Sequence, residues 1–181
     1  MAEQDRHKGA LDSVRQEFLF LSIKEMVVEF SEKAMNAGER PEQASSGRLL
    51  VLPASDEADE ITAAMLVQLL ELAGCAAIPF SAEPLLLDRI ATVNPSEQDM
   101  FCISALPPFA FAAAITLRRQ LQLRFPRTRV MVGVWGFAGN AERALQRFQP
   151  SQPDALVTTL ANAVTFIADR LTISGHVTSG R

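Results

Sequence analysis

Five short apolar runs, each followed by a stretch of helical composition, constrain the fold of this chain more than any other feature. The runs cover residues 49–52, 76–80, 100–103, 129–135 and 155–157. A short continuous apolar run is typical of a strand that is buried on both faces, as in a parallel sheet. Alternation of such strands with helices predicts an α/β domain with one parallel sheet and helices on both of its faces.

The helical stretches that follow the strands complete five strand–helix units, and the order of these units predicts which edge of the sheet carries a site. They cover residues 56–73, 83–93, 108–123, 140–148 and 160–171. Five strand–helix units joined by right-handed crossovers favour the strand order 2-1-3-4-5 of a flavodoxin-like fold. In that order, ligands bind where the carboxyl ends of strands one and three meet. The loops expected there are 53–56 and 104–108, with 133–140 beside them.

A separate amphipathic helix is predicted before the sheet domain, over residues 10–35. Spacings of three and four separate Leu11, Val14, Phe18 and Leu21, and the apolar stripe continues with Met26, Val27 and Phe30. An isolated helix gains little stability from propensity alone, so this stripe is expected to pair with a second copy, giving a homodimer, or to dock on the sheet domain. The predicted organisation is a helical segment 1–38, a linker 39–47, the α/β domain 48–171 and a flexible tail 172–181.

Charge and composition argue against several classes of partner. The formal net charge is −4 and Tyr is absent, whereas a general nucleic-acid binder is expected to be basic and to offer aromatic stacking surfaces. The longest apolar stretch, 105–117, contains Pro107 and Pro108 and is shorter than the roughly 18 residues of a membrane span. Because residues 1–8 are polar, no signal peptide is predicted. We therefore expect a cytoplasmic protein with no nucleic-acid partner and no membrane span.

Residues suited to catalysis are scarce. Cys75 and Cys102 lie in apolar stretches and are expected to be buried, reduced thiols. His7 and His176 lie in the two polar termini, so neither a histidine-based catalytic triad nor a metal site is expected. The chain is therefore predicted not to be an enzyme.

The first candidate site is the acidic segment 53–60 after the first strand. Ser55 or Asp56 could cap the following helix, with the acidic residues favouring its positive end. The alternative is a cation or polar-ligand site that includes both residues. A third hypothesis is a Mg²⁺-dependent enzyme that uses the carboxylates Asp56, Glu57, Asp59 and Glu60. A phosphate or dinucleotide site is not predicted, because the segment lacks a glycine-rich loop and a lysine.

Two further candidate sites follow the third and fourth strands. Ser104 and Leu106 precede two prolines, and Ser104 is either a ligand donor or a cap at the entry of the next helix. Gly133 and Gly136 permit close backbone approach or a positive φ. Trp135 between them either lines a pocket or packs against the helix at 140–148.

From Leu50 onward the chain is similar to cobalamin-binding domains of the flavodoxin-like type. The matching segments are 63–66, the turn 72–74, and Ser104-Ala-Leu106, which corresponds to the family's Ser-x-Leu motif. The family's Asp-x-His-x-x-Gly loop would fall on Pro53, Ser55 and Ala58, so the cobalt-ligating histidine is absent. The resemblance implies the fold and Ser104 as a binding residue. No cofactor is expected, and a divergent binder of cobalamin or another large cofactor is the alternative function.

A second resemblance covers more of the chain. Residues 53–61 and 65–70 resemble the cytoplasmic C-terminal domain of bacterial permeases of the autoinducer-2 exporter-like family, and residues 5–12 resemble the segment that joins the membrane part to it. The resemblance implies a non-catalytic, ligand-sensing or regulatory domain whose partner is a membrane permease. This is the leading functional hypothesis.

Overall fold

The computed structural model describes residues 13–36 and 47–173. Over these residues the chain forms six helices and five strands. Leu11, both histidines, nearly all of the predicted linker and the tail from residue 174 lie outside the described residues.

Each predicted strand and helix is present, with ends that differ by a few residues. The helices are α1 Ser13–Asn36, α2 Glu57–Leu72, α3 Leu86–Thr92, α4 Ala110–Arg124, α5 Ala141–Gln146 and α6 Leu160–Ile173. The strands are β1 Leu49–Pro53, β2 Ala77–Pro79, β3 Met100–Ala105, β4 Arg129–Val134 and β5 Ala155–Val157. The last helix continues through residues 172 and 173, which were predicted to belong to the tail, because neither Gly nor Pro interrupts it before Gly175.

The five strands form one parallel sheet in the order β2-β1-β3-β4-β5, which confirms the predicted flavodoxin-like fold. Every residue of β1 and β3 is buried, while the short edge strands are only half-buried. Continuous apolar runs in the central strands are expected for a sheet that is covered on both faces.

Alternation of side chains along the strands divides the core into two layers. Leu50 and Leu52 of β1 pack with α3, α4 and α5, whereas Leu49 and Val51 pack with α2 and α6. Both cysteines lie in the second layer as free, buried thiols, as predicted. Burial raises the pKa of both thiols, so both stay protonated near neutral pH.

Helix α1 docks on the outer side of α2. Phe20 is buried against Ala58 and Ile61 of α2, with Ile23 beside it. Docking on the sheet domain was one of the two outcomes predicted for this helix. None of the described helices combines the length and the apolar content that crossing a membrane requires.

The docked face of α1 is not the face that the sequence pattern favoured. Val14, Phe18 and Leu21 belong to the predicted stripe, yet they are between 56% and 73% exposed. The helix has apolar residues on two sides, and only the side of Phe20 and Ile23 meets the domain. A 3–4 spacing identifies an apolar face of a helix but does not say which of two such faces a particular surface accepts.

Candidate functional site

The carboxyl ends of β1 and β3 meet beside the first turn of α2, and a buried carboxylate joins them there. Asp59 is 3% exposed. Its Oδ2 accepts hydrogen bonds from the backbone N–H of Ser55 at 2.9 Å and from the Ser55 hydroxyl at 3.2 Å. Its Oδ1 accepts a hydrogen bond from the N–H of Leu106 at 2.7 Å. Asp59 therefore holds together the two loops that lie at the ligand-binding edge of such a fold.

The environment of Asp59 favours its neutral form. Burial raises the pKa of this carboxyl, and the negative charge of Asp56 raises it further. Hydrogen bonds from Leu106 and Ser55 favour the charged form and oppose the shift, and the resulting pKa is about 6. The group that joins the two loops thus titrates close to physiological pH.

Ser104, at the end of β3, extends this network into the core. Its side chain is fully buried, and its hydroxyl donates to the backbone carbonyl of Asp59 at 2.9 Å. The same hydroxyl accepts the indole N–H of Trp135 at 2.8 Å. The alternative prediction that Ser104 caps the next helix was wrong, because α4 begins six residues later, at Ala110, and its N-cap is Phe109.

Trp135 packs between the sheet and the helices α2 and α6, in the layer of Ala163 and Ile167. The expectation that it packs against the helix at 140–148 was wrong. The side chains of β4 alternate, with Val132 and Val134 facing α4 and α5, so residue 135 turns to the opposite layer.

The two glycines beside Trp135 serve different purposes. A Cβ on Gly133 would lie 2.2 Å from the indole ring, so close approach requires glycine at this position. Gly136 has a φ of +73°, a left-handed conformation that favours glycine, and its N–H donates to the carbonyl of Thr158 at 2.9 Å. Each of the two predicted roles of glycine is therefore found once.

The four carboxylates at the start of α2 each have a different partner. Asp56 is the N-cap and accepts backbone N–H groups of the first turn, which confirms the capping interpretation. Glu57 pairs with Lys24 of α1 at 2.6 Å. Glu60 accepts the N–H of Ala82 at 2.9 Å, and the fourth carboxylate joins the two loops. Within residues 13–36 and 47–173, no group of three His, Cys, Asp or Glu residues is arranged to hold a metal ion.

An open groove lies on the other side of the β1 end. Its volume is about 620 Å³, and it runs between residues 83–88 and α4, with Ala54 at the sheet. The lining mixes apolar side chains with polar groups from Thr116 and Gln120 and an ion pair in which Arg124 donates to Asp88 at 2.8 Å. An amphipathic small molecule suits this combination of groups.

Most of the predicted site residues belong to one network. Asp59 contacts Ser55 and Leu106 directly and reaches Trp135 through Ser104, whereas Gly136 points away towards β5.

Asp59 itself was not among the predicted binding residues. A signal for it exists in the sequence, because Asp59 shares the inward-facing register of Ala63, Leu66 and Leu70, at spacings of four, seven and eleven. A carboxylate in the apolar register of a helix is an indication of a buried, hydrogen-bonded group.

No protein-family model matches this chain, and no curated protein matches it at a significant level. A function is therefore inferred from the fold, from the geometry of its carboxyl edge and from the exposed apolar side chains of α1. That edge combines a titratable carboxylate, two loops joined through it, an adjoining groove and a docked helix.

Proposed function

We propose that this chain is a non-catalytic, ligand-sensing or regulatory domain that works in the cytoplasm beside a membrane permease. The side chains of Asp59 and Ser104 at the carboxyl edge are buried, and their hydrogen bonds hold the loops in place. The permease as partner follows from the resemblance of residues 53–61 and 65–70 to the C-terminal domain of autoinducer-2 exporter-like permeases.

The outer apolar face of α1 is the observation that carries this proposal. Val14, Phe18, Leu21 and Val28 lie on one side of the helix, away from Phe20, and each is more than half exposed. Several exposed apolar side chains on one side of a helix favour a contact with another molecule. Spacings of four and three residues suit packing against another helix.

A ligand in the groove would contact the network that supports α1. Ala54 lines the groove, and its backbone N–H donates to the carbonyl of Ser104 at 2.9 Å. From there, hydrogen bonds lead through Asp59 to Leu106, which packs against Phe20 of α1. Contiguous contacts thus connect a site for a small ligand to the helix that presents the outer face.

The test uses the permease that is encoded beside this domain or fused to it. Wild-type protein is expected to co-purify with the permease in detergent and to change transport in reconstituted vesicles. Phe18→Glu should abolish both effects because it places a charge in the outer face. Phe30→Glu is the matched control, since both phenylalanines are 71% exposed and Phe30 lies on another side of α1. Co-purification that survives Phe18→Glu, or transport that never responds to the domain, would contradict the proposal.

The same outer face offers a contact to a second copy of the chain. A homodimer through α1 would bury Phe18 and Leu21 of both copies in an antiparallel or parallel helix pair. Sedimentation over a range of concentrations should show a mass of twice 19.8 kDa for the wild type and a monomer for Phe18→Glu. A wild type that stays monomeric at every concentration would contradict the homodimer, and the permease would then be the proposed partner of the outer face.

The alternative function, a divergent binder of cobalamin, depends on Ser104. The hydroxyl of Ser104 is fully buried and already bonded to Trp135 and to the carbonyl of Asp59. A cobalamin that used this hydroxyl would have to break both hydrogen bonds and displace the indole. We therefore place the regulatory role first.

A further inference from the structure

The surface beneath α1 combines an apolar centre with an acidic rim. Ala58 and Ile61 of α2 and Leu106 of the β3–α4 loop form the centre. Glu57 lies at the rim, and its carboxylate is about half exposed. Such a surface favours a helix that presents a large apolar side chain together with a cation.

Helix α1 presents that pair of side chains to the surface. Phe20 fills the apolar centre and is 7% exposed. Lys24, one turn further along, places its Nζ 2.6 Å from the carboxylate of Glu57. Residues four apart lie on the same side of a helix, so the sequence Phe-x-x-x-Lys matches the apolar centre and the acidic rim together.

The attachment of α1 is narrow for a helix of 24 residues. Phe20 is the only buried residue among the described side chains of α1. The pair between Lys24 and Glu57 is solvent-exposed, and the Gln68 amide donates a partly buried hydrogen bond to the carbonyl of Val27. A helix with one buried side chain among its described residues opens more readily than the core of the domain.

We propose that the surface formed by Ala58, Ile61, Leu106 and Glu57 is a receiving site for a basic amphipathic helix, and that α1 is its intramolecular occupant. A partner helix with an aromatic residue and a Lys or Arg four residues later takes the place of α1 when α1 leaves. Because Leu106 packs against the cluster that contains Phe20, the departure of α1 uncovers the loop that Asp59 holds, and the partner helix covers it again. The contact beneath α1 is separate from the outer face of this helix, and it does not require a permease.

A synthetic peptide of residues 13–36 with a fluorescent label is the probe, and its anisotropy measures binding to the full-length protein. Phe20→Ala in the protein weakens its own α1, so this variant should bind the peptide at least about tenfold more tightly than the wild type does. Phe18→Ala is the matched control in the protein and should behave as the wild type. Phe20→Ala in the peptide should abolish binding, whereas Phe18→Ala in the peptide should not.

Charge reversal at the rim gives a second test that does not touch the apolar core. Lys24→Glu in the peptide should weaken binding to the Phe20→Ala protein. The Glu57→Lys protein should then prefer the Lys24→Glu peptide over the wild-type peptide by at least about fivefold. Both side chains are roughly half exposed, so neither change threatens the fold.

A covalent lock completes the test. Carbodiimide can join the Lys24 ammonium to the Glu57 carboxylate as an amide, with loss of water, because the two groups are in contact. The locked protein should no longer bind the peptide.

Three results would overturn the proposal. The first is equal peptide affinity for the wild type and both the Phe20→Ala and Glu57→Lys proteins, and the second is no preference in the charge reversal. The third is loss of binding on Phe18→Ala in the peptide, which would assign the contact to the outer face instead. Because the permease experiment changes Phe18 and this one changes Phe20 and Lys24, failure of one proposal is distinguishable from failure of the other.

Discussion

Two buried aspartates lie at opposite edges of the same sheet, and the charges that surround them differ. Asp99 precedes β3 at the amino edge and is 2% exposed, while Asp59 at the carboxyl edge is 3% exposed. The Arg48 guanidinium binds Asp99 through two nitrogens, at 3.1 and 2.8 Å. The donors that reach Asp59 are neutral groups of Ser55 and Leu106.

This difference gives the two carboxyls opposite pKa shifts. Burial alone would raise the pKa of Asp99, but the Arg48 side chain and the N–H groups of Ser96 and Arg48 outweigh burial and lower it to about 2. At Asp59 burial dominates, and the pKa rises to about 6. Burial disfavours the charge of both carboxylates, and only at Asp99 does a cation compensate for the lost water. The amino edge is built for stability, and the edge with the candidate site retains a charge that is costly to the fold.

The largest loss of stability is expected at the amino edge, where Asp99 pairs with Arg48. Asp99→Asn should lower the free energy of unfolding by about 3 kcal/mol, because it removes the charge that pairs with Arg48 and places an amide N–H₂ among hydrogen-bond donors. Denaturant unfolding at pH 7 measures the loss. Asp88→Asn is the control, since Asp88 is 59% exposed in its pair with Arg124 and should cost less than about 1 kcal/mol. Equal losses for the two variants would remove the distinction between a buried and an exposed pair.

The next prediction tests whether the two pKa shifts have opposite signs, by following the stability of the fold as the pH changes. Asp59 has a pKa of about 6 in the fold against 3.8 as the ordinary value, so between these values the folded state binds more protons than the unfolded state. Its contribution to stability is therefore fully present below about pH 4 and is lost as the pH rises through 6. The lost contribution is about 2–3 kcal/mol.

Asp59→Asn isolates this contribution, because it removes the titrating group. Relative to this variant, the wild type should lose stability between pH 4.5 and pH 7.5 in parallel unfolding experiments. Asp99 should behave in the opposite way, because its stabilising charge is lost as the pH falls from about 4 towards 2. A wild type and an Asp59→Asn variant with the same pH profile would show that Asp59 does not titrate in this range.

The third prediction concerns the packing of Gly133 against Trp135 beneath the carboxyl edge. Gly133→Ala places a methyl group against the indole of Trp135 and should cost about 2 kcal/mol. In a Trp135→Leu background the same change should cost much less, because the ring that it meets is gone. Unfolding of the two single variants and the double variant gives the coupling free energy between residues 133 and 135. Additive losses would mean that Gly133 is required for another reason.

The hydrogen bonds of Ser104 give a smaller effect. Ser104→Ala leaves the indole N–H of Trp135 without its acceptor in the core and should cost about 1–2 kcal/mol. Trp135 is the only tryptophan of the chain, so its fluorescence should report the change directly. An unchanged emission spectrum and stability would show that the bond contributes little.

The last prediction is that one ligand leaves the stability of the protein unchanged. Added cobalamin should leave the melting temperature unchanged, because the hydroxyl that the resemblance assigns to binding is already bonded inside the core. A ligand at 100 times its dissociation constant would add about 2.7 kcal/mol, which is a measurable shift. Such a shift with cobalamin would replace the regulatory proposal by its alternative. The same assay with amphipathic small molecules searches for an occupant of the groove.

The elements of the fold follow from local patterns. The runs at 49–52 and 100–103 are continuous and apolar, and the strands found there are buried on both faces. Helix ends were less certain, as at α3, which begins at Leu86 rather than at residue 83. Terminal turns depend on local hydrogen bonds that composition does not specify.

The candidate site was predicted only in part. Ser55, Ser104 and Leu106 were placed at the right edge because parallel strands end together there. Asp59 was overlooked as a binding residue because its neighbours Asp56, Glu57 and Glu60 look equivalent to it in the sequence. In the fold these four carboxylates point to four different partners.

The sequence by itself determined the strand–helix alternation, the sheet order and the edge at which polar residues gather, because these depend on short-range periodicity and on the handedness of crossovers. Only the tertiary structure decided which face of α1 meets the domain and which aspartate receives a cation. Both depend on contacts between residues far apart in the chain, such as Phe20 with Leu106 and Arg48 with Asp99. The pKa of a buried carboxyl is set by what lies within a few ångströms of it, and folding alone brings those groups together.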